Sequence, residues 1–203
     1  MTPVRLFLVA GLALTTRLGA QQPAQQAPAA QTGALRASPS GRATTTVTLA
    51  RPRPEGQEAP AGELPVRVSI DYGQPHARGR QIVGTVVPMN QVWRTGANDA
   101  TTLTTDVDLM IGSTRVPKGT YTLFTLPSER GWKLIVNRQS GQWGTEHDPS
   151  QDLARIDLKS RALPEPLESF TIWLVPAADA PARGTLKLAW GTQELSTDWR
   201  LAP

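Results

Sequence analysis

Cysteine is absent from all 203 residues of the chain. This excludes disulfides, thiolate nucleophiles, Cys-ligated zinc and Cys-ligated iron–sulfur clusters. It also excludes an acylated-cysteine lipoprotein anchor. Histidine is scarce. His76 and His147 are the only two, and no H-x-H or H-x-x-x-H spacing makes a metal-binding pair of them. His76, His147, Asp99, Asp148 and Asp152 are ligand types for zinc or harder ions, but no metal motif organises them, and neither a metal nor a cofactor is expected. Phosphate-loop, dinucleotide and G-x-S-x-G fingerprints are missing too. Long basic runs are also lacking: 17 of the 21 basic residues are Arg, and no five basic residues are consecutive. The formal charge of +4 therefore makes no phosphate-tracking stripe, and no nucleic-acid partner is expected.

Apolar runs are short. The longest, Leu6–Leu14, has nine residues and reaches about 14 Å as a helix, against a hydrocarbon core of ~30 Å. Arg5 precedes it, and Leu18-Gly19-Ala20 places small residues before the polar Gln21. This pattern reads as a cleaved export signal over residues 1–20, not a membrane span. The expected location is periplasmic or extracellular, with no membrane span after signal cleavage. Residues 21–41 are almost entirely Gln, Ala, Pro, Ser, Thr and Gly. They offer too little apolar surface to offset ordering entropy and read as a disordered tether. A domain is expected over residues 42–203.

What is present in that domain is alternation. Val66, Val68, Ile70 and Tyr72 alternate with polar residues, as do Leu186, Leu188 and Trp190, and Leu195, Thr197, Trp199 and Leu201. The same period runs through Val107–Ile111, Trp132–Val136 and Ile156–Leu158. Period two means strands with one buried face. Glycine-bearing turns separate them at Gly112, Gly119, Gly131, Gly141, Gly184 and Gly191. The expected fold is all-β, an antiparallel β-sandwich or jelly-roll-like domain of about 9–11 strands. Parity puts Trp132, Trp190 and Trp199 inside and Trp173 outside.

Two stretches break the alternation. Residues 75–101 (PHARGRQIVGTVVPMNQVWRTGANDAT) hold Arg78, Arg80, Trp93, Arg94, Asn98 and Asp99. Residues 141–152 (GQWGTEHDPSQD) hold Trp143, Glu146, His147, Asp148 and Asp152. The candidate ligand-binding residues are Arg78, Arg80, Trp93, Arg94, Asn98, Asp99, Trp143 and His147. Trp93 and Trp143 are expected to stack on a small polar ligand that Arg94, Asn98 and Asp99 orient. The three arginines suit a carboxylate or phosphate. The alternative for Arg94 is a structural ion pair with Asp99 that fixes the loop.

RGRQIVGTVVP, VWRTGANDAT, VPKGTYTLFTLP, WKLIVN, GQWGTEHD and QDLARI together resemble the DUF2911 family of bacterial exported proteins, across about residues 36–200. The resemblance implies a domain of unknown function. Two positions depart from the family pattern. Asp99 stands where Glu is more usual, and His147 where Tyr is more usual, so the resemblance does not imply an essential base at His147.

Three function classes follow. The leading one is a non-enzymatic envelope domain that binds a small polar ligand or a protein partner. The second is an envelope hydrolase using Asp99 with a second acid, Glu146 or Asp148, or with His147. The third is a purely structural domain that associates through strand edges.

Overall fold

The computed structural model describes residues 38–51 and 53–203. The expected export signal (1–20) and nearly all of the expected tether lie outside the described residues. Nine strands follow: β1 Ser40–Leu49, β2 Val66–Pro75, β3 Thr102–Thr105, β4 Leu109–Ile111, β5 Thr114–Val116, β6 Gly119–Ser128, β7 Gly131–Asn137, β8 Asp152–Ala177 and β9 Ala180–Leu201. A single 3-10 turn, Pro149–Gln151, precedes β8. Ser40 and Gly41, placed in the tether by composition, pair with Pro75 and Gln74 and so already belong to β1. Among the described residues no helix is long and apolar enough to cross a membrane.

The strands form one antiparallel sheet in the order β1-β2-β3-β6-β7-β8-β9-β4-β5. β8 changes partner along its length. It pairs with β7 up to Leu158 and with β9 from Lys159 onward. Its ladder with β9 is interrupted between Ala162 and Leu167. Pro164 and Pro166 fall there and have no N–H to give. Residues 156–158, which alternation presents as a strand of their own, therefore belong to one long bent strand that runs on to Ala177.

The bend folds the sheet back on itself. The Ile172 amide donates to Tyr72 Oη at 3.1 Å and the Leu174 amide to Thr45 Oγ1 at 3.3 Å, bringing β8 onto β2 and β1. His76 just past β2 bridges Ser169. The result is a sandwich-like all-β domain with Val68, Ile70, Leu103, Leu123, Leu134, Ile172, Leu186 and Leu188 at its centre, all essentially inaccessible. Trp132, Trp190 and Trp199 are buried in this core, while Trp173 faces out as parity requires.

β6 departs from simple alternation. Tyr121 through Thr125 are all buried. Leu123 faces the core, whereas Phe124 lies on the side that would otherwise be wet. The cover comes from the two irregular stretches. The chain leading into β3 runs along β6, with the Asn90 amide on Pro127 O, Trp93 exchanging both backbone bonds with Thr125, and the Leu123 amide on Thr101 O. Between Trp93 and Thr101 it leaves the ladder in a loop. That loop presses on β2 where only glycine fits: a Cβ on Gly73 would lie 1.8 Å from the Ala97 carbonyl oxygen. Backbone would have to move to admit it. Gly73→Ala is therefore expected to lower stability by about 1–3 kcal/mol or more, read by urea unfolding. A wild-type midpoint would show that the loop does not depend on this contact.

Candidate functional site

The loop after Trp93 is built on strained backbone. Thr95 and Asn98 have φ of 54° and 63°, a region that a β-branched threonine strongly disfavours. Buried hydroxyl contacts hold the strain. Thr95 Oγ1 lies 3.2 Å from Thr125 Oγ1, and Thr101 Oγ1 donates to the Thr95 carbonyl at 2.7 Å. The second irregular stretch then docks on the first. Asp99 and Trp143 form a β-bridge, the Gly144 amide donates to Asn98 O at 3.0 Å, and the Ala100 amide to Gln142 O at 3.3 Å. Gly144 admits no side chain there, because a Cβ would sit 2.5 Å from Asn98 O and 3.1 Å from Arg94 Cδ.

Between these stretches lies a cleft of about 520 Å³. Trp93, Phe124 and Trp190 give it an aromatic lining; Arg80, Arg94, Asn98 and His147 supply polar groups. The aromatic part is rigid. Trp93 stacks on Trp190 with centroids 5.9 Å apart and meets Phe170 edge-on at 5.2 Å. Five of the eight candidate residues thus share one cavity: Arg80, Trp93, Arg94, Asn98 and His147.

Three candidates do not line it. Arg78 is exposed, with its amide on Glu168 Oε1 at 2.8 Å and Nη2 on Pro39 O at 3.0 Å. Trp143 is 47% exposed outside the cleft lining. It therefore does not form the expected stacking pair with Trp93, even though their segments touch. Asp99 also points away, its side chain 69% exposed, and its nearest cation is Arg42 of β1 at 3.9 Å. The expected Arg94–Asp99 pair is not formed. The left-handed turn at Asn98 and the bridge to Trp143 direct Asp99 outward, and Arg94 instead donates from Nε to Gly96 O at 3.2 Å.

The other candidate acids and His76 lie outside the cleft lining. Asp148 caps the 3-10 turn, accepting from the Ser150 hydroxyl at 2.7 Å and amide at 2.9 Å, and these bonds hold its carboxyl below the usual range. Glu146 is exposed and does not line the cleft. His76 contacts Ser169 Oγ at 2.8 Å. Among the described residues no group of three His, Asp or Glu side chains assembles.

Asp152 is the structural partner that alternation did not single out. Its side chain is 9% exposed and accepts from His147 Nε2 at 2.8 Å, Asn137 Nδ2 at 2.8 Å, and Arg155 Nε and Nη2 at 2.9 and 2.7 Å. Burial pushes its carboxyl up, but the bonds from Asn137, His147 and Arg155 together outweigh this and leave it below the ordinary value. Ionised Asp152 fixes His147 with its proton on Nε2. Phe124 packs on the imidazole at 4.7 Å. Among the described residues Nδ1 has no hydrogen-bond partner.

The family comparison agrees with the motifs that run through this site. The family model described as "Protein of unknown function (DUF2911)" matches residues 57–198. The chain belongs to that family. No curated protein and no solved structure matches it.

A depressed carboxyl stabilises the fold above its unfolded pKa, about 3.9 for Asp, and that contribution is lost as pH falls through the lower folded value. Asp152→Asn is therefore expected to cost about 1.5–3 kcal/mol at neutral pH. The gap from wild type should narrow in urea unfolding as pH drops below about 4. A gap independent of pH would show that Asp152 acts without its charge.

Proposed function

We propose that this DUF2911 member is an exported binding domain that holds a small polar ligand in the cleft between residues 75–101 and 141–147. One observation carries the reading: Arg80, Trp93, Arg94, Asn98 and His147 converge from two loops onto one cavity with an aromatic floor. Binding sites combine apolar surface with a few convergent polar groups on a rigid frame, and here the frame is β6 and the Trp93–Trp190–Phe170 cluster. Export rests on Arg5 and the Leu6–Leu14 run. A periplasmic or extracellular setting follows from the same signal.

A second reading, an envelope hydrolase, is favoured by the His147–Asp152 pair. A carboxylate behind an imidazole is how a general base is oriented. Asp99 adds nothing to it, being outside the cleft lining. The two readings separate by turnover: a ligand that comes off chemically unchanged belongs to a binding domain.

The test is a thermal-shift screen of sugars, amino acids, organic acids and phosphate esters, with hits confirmed by calorimetry. At least one class should raise the melting temperature. Gly144→Ala should weaken its binding by about tenfold or more, since the added methyl displaces Arg94 and the Asn98 carbonyl. Unaltered affinity in a folded Gly144→Ala protein would place the ligand elsewhere.

A further inference from the structure

We propose that the ligand is an oxyanion, a carboxylate or a phosphate, attached to a small apolar body, and that Arg94 with Arg80 holds it. The inference rests on the binding reading above and adds the ligand's chemistry.

It begins with charge. No Asp or Glu lines the cleft, whereas two arginines and a histidine do. Among the twelve other described arginines, Arg67, Arg78, Arg130, Arg138 and Arg200 meet no carboxylate, and all five are exposed; the remaining seven are paired. Arg42, Arg51, Arg53, Arg115, Arg155, Arg161 and Arg183 each meet a carboxylate. Arg80 and Arg94 have no acidic partner among the described residues. Arg94 is half-buried, and a partly desolvated charge without a counter-ion is unfavourable until one arrives.

Orientation is the second point. Each arginine uses Nε on a backbone carbonyl. Arg94 donates to Gly96 O at 3.2 Å and Arg80 to Ala77 O at 3.0 Å, with Arg80 Nη2 also on His76 O at 2.7 Å. These bonds set the guanidinium planes before any ligand binds. Both Nη groups of Arg94 are left without a protein acceptor among the described residues, the donor pair that carboxylates and phosphates accept from. The strained backbone at Thr95 and Asn98 flanks Arg94 on one side, and Gly144 packs against its methylenes. Strain kept beside an unpaired charge is a mark of a positioned group.

The nearby acids stay out of the cleft lining, Glu146 among them. Asp99 faces Arg42, Asp148 caps its turn, and Asp152 is engaged by Arg155, Asn137 and His147. Ser40, Asn98 and Thr145 add neutral polar groups, and Val92, Trp93, Phe124 and Trp190 form an apolar part available to an aromatic or aliphatic body.

The experiment is isothermal titration of the full chain with phenylacetate, phenyl phosphate and uncharged phenylacetamide. At least one anion should bind about tenfold or more tighter than phenylacetamide, and its affinity should fall as salt rises. Whichever anion prevails identifies the carboxylate or the phosphate as the group recognised. Arg94→Gln should cost about ten- to a hundredfold, Arg80→Gln less because Arg80 is exposed, and Arg183→Gln, in the β8–β9 hairpin and outside the cleft lining, nothing. If Arg94→Gln does not fold, Arg94→Lys carries the test: it keeps the charge but not the fork, and should still lose several-fold.

Equal binding of phenylacetamide and both anions would overturn the inference while leaving a binding cleft in place. Unchanged anion affinity in folded Arg94→Gln or Arg94→Lys would overturn it too. So would failure of both anions to bind a protein that still binds neutral hits from the screen.

Discussion

The site depends on a strand that leaves its ladder and returns. Trp93 hydrogen-bonds to Thr125 and Thr101 to Leu123, on either side of buried Phe124, so the loop between them is pinned to β6 at both ends. Backbone polar groups in a covered loop must find partners. Here they find β6 at the two ends, the Thr95 and Thr101 hydroxyls inside, and the Gln142–Gly144 backbone along the outer edge. Because these bonds tie the loop at its ends, inside and along its edge, it holds left-handed φ values that free chain would avoid. Arg94 and Asn98 owe their place to that closure.

Packing then converts a held loop into a cavity. The two irregular stretches cover Phe124, which would otherwise be an apolar residue on a wet face of β6. They do not fill all the space they enclose. The aromatic cluster of Tyr72, Phe170, Trp93 and Trp190 joins this cover to the core, with edge-on and stacked contacts that resist rearrangement. Charge is sorted at the same time. Carboxylates near the loops are tied to Arg42, Arg155 or the turn at Ser150, and the cleft is left with guanidiniums, an amide and an imidazole. In a domain with no disulfide, this rigidity comes from burial and hydrogen bonding alone.

Much of the frame was legible as period two. The inward Trp132, Trp190 and Trp199 and the outward Trp173 all follow from it, as does the antiparallel all-β class. The merging of strands into β8 was not legible, because Pro164 and Pro166 signal a break in pairing and not whether the chain continues beyond it. For the site, loss of alternation marked the two stretches that meet, and five of eight candidates line the cleft. Parity has no grip on irregular chain, so it gave no direction for Asp99 or Trp143, and Arg42, in a strand 57 positions earlier, took the place near Asp99 expected for Arg94. Phe124 carried a readable signal, the adjacent Leu123-Phe124 pair inside β6, which puts an apolar side chain on each face of the strand. Asp152 was marked only as a ligand-type acid at the end of the second stretch. Its role appears only when Asn137, His147 and Arg155 are brought around it.

The central claim is that ligand enters beside Trp93 and Trp190, under Arg94. The six indole N–H groups give a direct readout, as proton–nitrogen correlation signals of the labelled protein titrated with the tightest-binding anion. The account predicts that the Trp93 and Trp190 signals move together and saturate, while those of Trp132, Trp173 and Trp199 stay in place. Saturable movement confined to Trp173 or Trp199, with Trp93 and Trp190 unmoved, would contradict it.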